Sequence, residues 1–498
     1  MQTHTFYWHD YETFGIDPRR DRPAQFAGIR TDAELNEIGE PLNIYCQPAN
    51  DYLPAPSACL VTNITPQHCL QHGVAEHVFA AQIEAELAQP GTIGVGYNTI
   101  RFDDEFTRHL LWRNLREPYA REYKNNCGRW DLLDVVRLVY ALRPEDIVWP
   151  RNPADGKASF KLGELARANG LLHEAAHDAL SDVRATVALA RLIRSKKPKL
   201  FDFCLGLHKK TRVLEELGLP ATSAEARPFL HVSGMFAADR GCLALMWPLA
   251  THPVNKNEII AWDLAHDPAE LAVLNAETIR QRIFTAAADL PEGVTRLPIK
   301  TIHINKSPMV VGNLNTLTPA QAEKWAFDKS LCLQNAEKAR ALPDMNAIWN
   351  KVFVRASAAS EDAVDTGIDL DVDAALYQGF VGDQDRRQME ELRSLPPAQL
   401  GRKTAFDDSR LPELVFRYRA RNFPQTLSAE ETQRWNAHRA SRLLDGTEKA
   451  RNLDAFFAEI DTIGATAVDE KSQETLAALF DYAESIAPDL VDSDGEMG

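Results

Sequence analysis

Paired cysteines, long apolar runs and an excess of positive charge are all absent from this 498-residue chain. The seven cysteines (Cys46, Cys59, Cys69, Cys127, Cys204, Cys242 and Cys332) are odd in number and scattered, with no CxxC pair. This excludes a disulfide framework and a zinc finger and fits a reducing compartment, so a cytoplasmic protein is expected. No apolar run reaches the roughly 18 residues of a membrane span, and no basic-then-apolar leader opens the sequence. Neither a membrane helix nor a secretion signal is expected. Internal repeats are missing too.

The net charge of −16 argues against binding a polyanion until its distribution is considered. Residues 356–374 hold six acids and no base, and residues 441–498 hold fourteen acids and four bases. Those two segments carry the entire −16, which leaves the other 421 residues neutral overall. A neutral body can still bear a basic groove. Both acidic stretches read as solubilising linker and tail.

The length exceeds one ordinary core, so two or three domains are expected. Up to residue 196, strand-like patterns at 5–12, 24–31, 42–47 and 92–97 alternate with helical ones at 75–89, 102–116, 130–142, 161–170 and 178–195. That alternation predicts an α/β sheet with helices packed on it. Residues 229–312 are rich in short β runs, among them Cys242–Trp247, Glu258–Trp262 and Lys300–Ile304. From about 375 onward helical periodicity returns, with Trp435, Leu443, Phe456, Leu479, Phe480 and Ile486 among the expected core.

Against this background a few acids stand out. Asp10 and Glu12 in FYWHDYETFG sit at i and i+2, so on a strand both point to one face. Such a pair beside an apolar run is costly without a cation between them, although alone it reads as a solvated strand end. Asp103 in GYNTIRFDDEF falls in the first turn of an amphipathic helix, where acids are also favoured simply by the helix dipole. Asp104 and Glu105 fit that ordinary reading better. Asp182 and His177 in AAHDALSDVRAT are five apart, about 140° on a continuous helix, so they share a site only if His177 lies in the entering loop or first turn.

D-Y-E, then N-x-x-x-F-D, then H-D-A-x-x-D together resemble the DEDD exonuclease superfamily in its histidine-containing branch. HDYETFG, DRPAQFA, GYNTIRFDDE, RWDLLDV, HVSGMF, HINKSP and FRYRARNFP resemble the bacterial exonuclease I (exodeoxyribonuclease I) family in particular, from about residue 5 to about residue 485. The resemblance implies a ribonuclease H-like exonuclease domain over 1–196, an SH3-like β-barrel domain with added helices over 197–354, and a helical domain over 355–498. It also implies that Asp10, Glu12, Asp103 and Asp182 ligate two Mg²⁺ ions, with Mn²⁺ as the alternative, and that His177 is the general base. The implied activity is processive 3′-to-5′ hydrolysis of single-stranded DNA to 5′ mononucleotides, in DNA repair and recombination.

A single strand is held by cations along its backbone and rings under its bases. The resemblance raises Arg108, Tyr119, Tyr123, Arg137, Lys161, Lys210, Lys256 and Lys306 as contacts, with Glu12, His303 and Asn305 beside them. Arg417, Tyr418, Arg419 and Arg421 are further candidates, although FRYRARNFP also reads as a helix end docking the third domain. The implied partner is the acidic, hydrophobic tail of single-stranded-DNA-binding protein, with Arg143 and Arg340 as candidates for its carboxylates. A monomer is expected. Two rivals stay open at this point: a DEDD-type 3′-to-5′ exoribonuclease with the same metal chemistry, and a catalytically silent nucleic-acid-binding scaffold. Carboxylates alone do not separate DNA from RNA.

Overall fold

The computed structural model describes residues 4–171, 178–220, 225–358, 371–402, 404–466 and 469–488. The opening run Thr5–Thr13 is aromatic and β-prone, and it becomes β1 at the centre of a five-stranded sheet. Beside it run β2 (Pro23–Thr31), β3 (Glu37–Tyr45), β4 (Thr92–Gly96) and β5 (Gly128–Asp131), in the order β3-β2-β1-β4-β5. β1 pairs antiparallel with β2 and parallel with β4, so the sheet is mixed. Strand alternation puts Phe6 and Trp8 into the core shared with helices Leu132–Leu142 and Ala179–Lys196, and Tyr7 and Tyr11 into another core with helix Glu76–Leu87.

Expected elements and found elements differ in four places. The third strand begins at Glu37 rather than 42, because its first half is a polar sheet edge held by backbone pairing to β2, whereas Leu42 and Ile44 pack on the core. β5 was too short to read, at four residues. Helices Pro56–Thr62 and Pro66–His72 each start with proline, which is compatible with a first helical turn although it resembles a loop in sequence. A last strand at Met309–Val311 completes the second sheet.

That second sheet is antiparallel throughout, curled into a half-barrel in the order β10-β6-β7-β8-β9. Its members are β6 (Phe229–Val232), β7 (Leu243–Thr251), β8 (Glu258–Asp263), β9 (Ile299–His303) and β10 (Met309–Val311). Its core is continuous with that of the first sheet through Phe201, Cys204, Val213 and Leu217. From Ala375 on, the described elements are helical. Phe456, Leu479 and Tyr482 pack on Phe14, Tyr52 and Cys59 of the first unit, whereas Phe480 is 41% exposed.

Two expectations about charge are corrected here. Asp371 and Asp373, in the acidic stretch read as linker, are buried at 5% and 0% exposure. Arg417 lies 2.5 Å from Asp371, and Arg421 bridges Asp373 at 2.5 Å and Asp51 at 2.8 Å. Arg22 adds a contact to Asp373 at 3.2 Å. Arg417, Arg419 and Arg421 are therefore buried pairing partners, not an open basic face: Arg417 and Arg419 pair within the third unit, and Arg421 reaches Asp51 of the first. FRYRARNFP helps to dock the third unit because its Arg421, with Arg22, pairs aspartates that could not be buried charged and alone.

Candidate metal centre and nucleic-acid groove

β1 presents Asp10 and Glu12 on the face that Phe6 and Trp8 begin, opposite Ala27 and Gln25 of β2. Helix Ala179–Lys196 packs across that face and places Asp182 in its first turn. Carboxylate oxygens of Asp10, Glu12 and Asp182 all lie within 4.8 Å of one another. Asp103 opens helix Asp103–Arg113, and its Oδ1 accepts the Tyr11 backbone N–H at 3.1 Å, between the two β1 acids.

The electrostatics follow from this crowding. Burial pushes Asp10 well up, and Asp103, Glu12, Asp182 and Asp178 push it further, in that order. Glu12 is raised to about 7 by burial and then by Asp182 and Asp178. Burial, then Asp104, lifts Asp103 to about 8. Asp104 goes the other way, despite burial, because Arg121 at 2.6 Å and Arg129 at 3.2 Å hold it charged. One aspartate is thus neutralised by arginines and its neighbour is left to the acid cluster. A set of oxygen donors with surplus negative charge fits a hard divalent cation, and among the described residues no thiolate or imidazole joins the cluster. An exonuclease domain with such a cluster implies dependence on divalent metal.

Three supporting residues escaped the sequence reading. Asp178 caps its helix by accepting the Ser181 N–H at 3.0 Å, and Gln25 Nε2 donates to it at 3.2 Å. Asp131 accepts backbone N–H groups of Asn98, Ile100 and Leu133 at 3.0, 3.2 and 3.0 Å, shaping the turn that delivers Asp103. Their signals were present in DRPAQFA, H-D-A and RWDLLDV, but a cap looks like any surface acid until its partner is placed. His177 lies outside the described residues.

The expected strand contacts divide by environment. Arg108 is buried, pairing with Glu122 and Glu105 at 2.7 Å each and stacking over Tyr119 at 5.4 Å. Arg137 pairs with Asp134 at 2.7 Å, and His303 with Glu258 at 3.0 Å. Lys161 is 81% exposed in its side chain and Tyr123 62% exposed. Lys210 separates two clefts, one shared with Tyr123, Arg129 and Asn305, the other with Lys256. Lys306 reaches Glu105 at 3.9 Å, and the Tyr377 hydroxyl lies 3.0 Å from Arg108 Nη1, so all three units meet beside Arg108. Tyr377 and the 85%-exposed Phe380, which packs edge-on to Tyr119 at 5.8 Å, were not anticipated. Arg143 donates to the Thr316 carbonyl at 3.0 Å, while Arg340 pairs with Glu337 at 2.8 Å and lies over Trp247 at 5.5 Å.

Comparison with known proteins accounts for nearly the whole chain. Residues 7–190 match the family model Exonuclease, 208–355 the Exonuclease I SH3-like domain, and 370–486 the Exonuclease I C-terminal domain. Exodeoxyribonuclease I of Escherichia coli K12 is 43% identical over 491 residues, covering 97% of this chain and 98% of that protein. The crystal structure of E. coli Exonuclease I in complex with a dA16 oligonucleotide superposes with a TM-score of 0.89 at 43% identity, covering 97% of this chain and 100% of that one. An ExoI/SSB-Ct complex superposes with a TM-score of 0.87 at 42% identity, covering 98% and 100%. The chain belongs to the exonuclease I family.

Proposed function

We propose that this protein is a 3′-to-5′ exonuclease that degrades single-stranded DNA to 5′ mononucleotides. The observation that carries the reading is the convergence of Asp10, Glu12 and Asp182 within 4.8 Å, in a chain similar throughout to exodeoxyribonuclease I. The matched ranges support units of 1–196, 197–354 and 355–498.

A phosphodiester is anionic, and attack by water adds negative charge in the transition state. Asp10, Glu12, Asp103 and Asp182 would hold two Mg²⁺ ions; when bound, these supply electrophilic stabilisation of the phosphoryl oxygens and a lower pKa for water. Asp103 also locks β1 to its helix through the Tyr11 N–H, which keeps the ligand row in register. Asp178 and Gln25 hold the first turn that carries Asp182. His177, directly before the Asp178 cap in sequence, takes the proton of the attacking water.

Strand selection belongs to the groove where the units meet. Tyr119, Tyr123, Tyr377 and Phe380 offer ring faces for bases; Arg137, Lys161, Lys210, Lys256 and Lys306 offer charge for the backbone. Contacts from all three units enclose the strand, which favours retention between cuts. The solved ExoI/SSB-Ct complex supports the tail of single-stranded-DNA-binding protein as a partner, and we assign Arg143 and Arg340 to its carboxylates. The deciding assay offers 3′-labelled single-stranded DNA, duplex DNA and RNA with Mg²⁺, then with EDTA. Mononucleotide release from the first alone, abolished by chelator, is expected; equal release from RNA would overturn the substrate.

A further inference from the structure

Two sequence motifs left without a role, HVSGMF and the lysine leading into HINKSP, meet the turn GYNTIRF across the seam between the first two units. Arg101, Asp134, His231, Ser233 and Lys300 line one recess there. Lys300 on β9 donates to Ser233 Oγ at 2.7 Å and lies over the Phe236 ring at 4.9 Å. Arg137 and Arg101 share a single carboxylate, Asp134, at 2.7 and 3.5 Å. Arg101, Asp134 and Arg137 are the charges that bear most on Lys300, and a second acid of the recess, Glu258, is taken up by His303 at 3.0 Å.

The surrounding backbone is shaped to this crowd. The chain at Gly234 passes close over the Arg137 guanidinium: a Cβ there would stand 2.7 Å from Arg137 Cζ. His231 is 4% exposed; its Nδ1 is 3.0 Å from the Met309 carbonyl and its Nε2 has no hydrogen-bond partner. Burial and Arg101 push Lys300 down to about 8, as expected of a cation held among cations. Unrelieved like charge destabilises a fold, and an anion entering the recess relieves it. The recess also continues along β9 to His303 and Lys306, so it opens on the groove described above.

We propose that Arg101, Lys300 and Ser233 form a phosphate-binding subsite that grips the backbone of the single strand on its way to the acid cluster. The subsite rests on the single-stranded DNA reading and adds a specific grip point to it. Its ligand is a phosphodiester of the strand; inorganic phosphate and a released mononucleotide share the chemistry and are distinguished by the test.

Anisotropy of a labelled oligothymidylate with the full-length protein, in Ca²⁺ and across a salt series, measures the grip. Lys300→Met, which keeps the stem and removes the charge, is expected to weaken binding about tenfold at low salt. It should also flatten the slope of log affinity against log salt by about 0.7, the value for one lost phosphate on a single strand. Lys300→Arg should restore the slope, and in Mg²⁺ the KM of Lys300→Met should rise more than its kcat falls. A folded Lys300→Met with wild-type affinity and slope overturns the subsite. So does a variant in which only inhibition by inorganic phosphate or mononucleotide changes, since the recess would then hold product. Should Lys300→Met not fold by circular dichroism, Lys300→Gln and Ser233→Ala carry the same comparison. Wild-type protein that fails to bind the oligonucleotide sinks the parent reading, whereas an unaltered variant beside a binding wild type sinks the subsite alone.

Discussion

Carboxyls buried and pressed together, as Asp10, Glu12 and Asp103 are, hold protons that isolated carboxyls would release. Glu12 near 7 and Asp103 near 8 bind more protons folded than unfolded, so metal-free stability should fall as pH rises from about 4 towards 8. A divalent cation needs the charged forms and must displace those protons. Mg²⁺ affinity should therefore rise between pH 6 and 8, with proton release visible as a buffer-dependent heat in calorimetry. Removing one charge should relieve the crowd: metal-free Asp103→Asn is expected to melt at or above the wild-type temperature at pH 8, yet to lose nearly all hydrolysis. Wild-type turnover by that variant would remove Asp103 from the site. For His177, activity should fall at acid pH as the imidazole protonates. The same acid limb in a His177→Ala variant with residual activity would assign the limb elsewhere.

Elements place these groups, and their ends matter more than their middles. The first turn of helix Ala179–Lys196 carries Asp182, and Asp178 caps it. Asp178→Ala should lower stability by about 1 kcal/mol. Because the same turn sets the Asp182 carboxylate, activity should drop by more than that loss explains, readable as lowered kcat in protein that is fully folded by thermal melt. β2 has its own constraint: a Cβ at Gly28 would lie 2.3 Å from the Tyr7 hydroxyl. Gly28→Ala should destabilise by about 1–3 kcal/mol through overpacking, checked by denaturant unfolding. The period-2 pattern made β1 legible from its residues. The polar first half of β3, the four-residue β5 and the proline-led helices were not, because backbone pairing and neighbouring surfaces hold them rather than their own apolar pattern.

Over the whole molecule, buried ion pairs hold the third unit to the first. Asp51 and Asp373 are kept well below the usual carboxylate range, despite burial, foremost by Arg421. Carboxyls depressed in this way contribute stability above their unfolded value near 4 and lose it as pH falls further. Thermal midpoints should therefore drop steeply below about pH 4, and less so in Asp373→Asn. At neutral pH that variant removes the carboxylate paired with Arg22 and leaves Arg421 with Asp51 alone, and should lose about 3 kcal/mol. An unchanged midpoint would mean that the cluster does not bear on stability.

Chain chemistry alone determined which residues are candidates for a metal centre and its base: the i, i+2 acids, the aspartate opening a helix and the histidine motif are local patterns, and local patterns survive in one dimension. Only tertiary structure decided which of two adjacent aspartates is neutralised by arginines and which cations are buried in ion pairs. Asp103 and Asp104 are neighbours of identical type, separated by arginines that arrive from residues 121 and 129. Arg421 and Lys161 differ likewise, one buried among aspartates and one open to solvent. Charge acts through space, and the distances that set its effect exist only once the chain has folded.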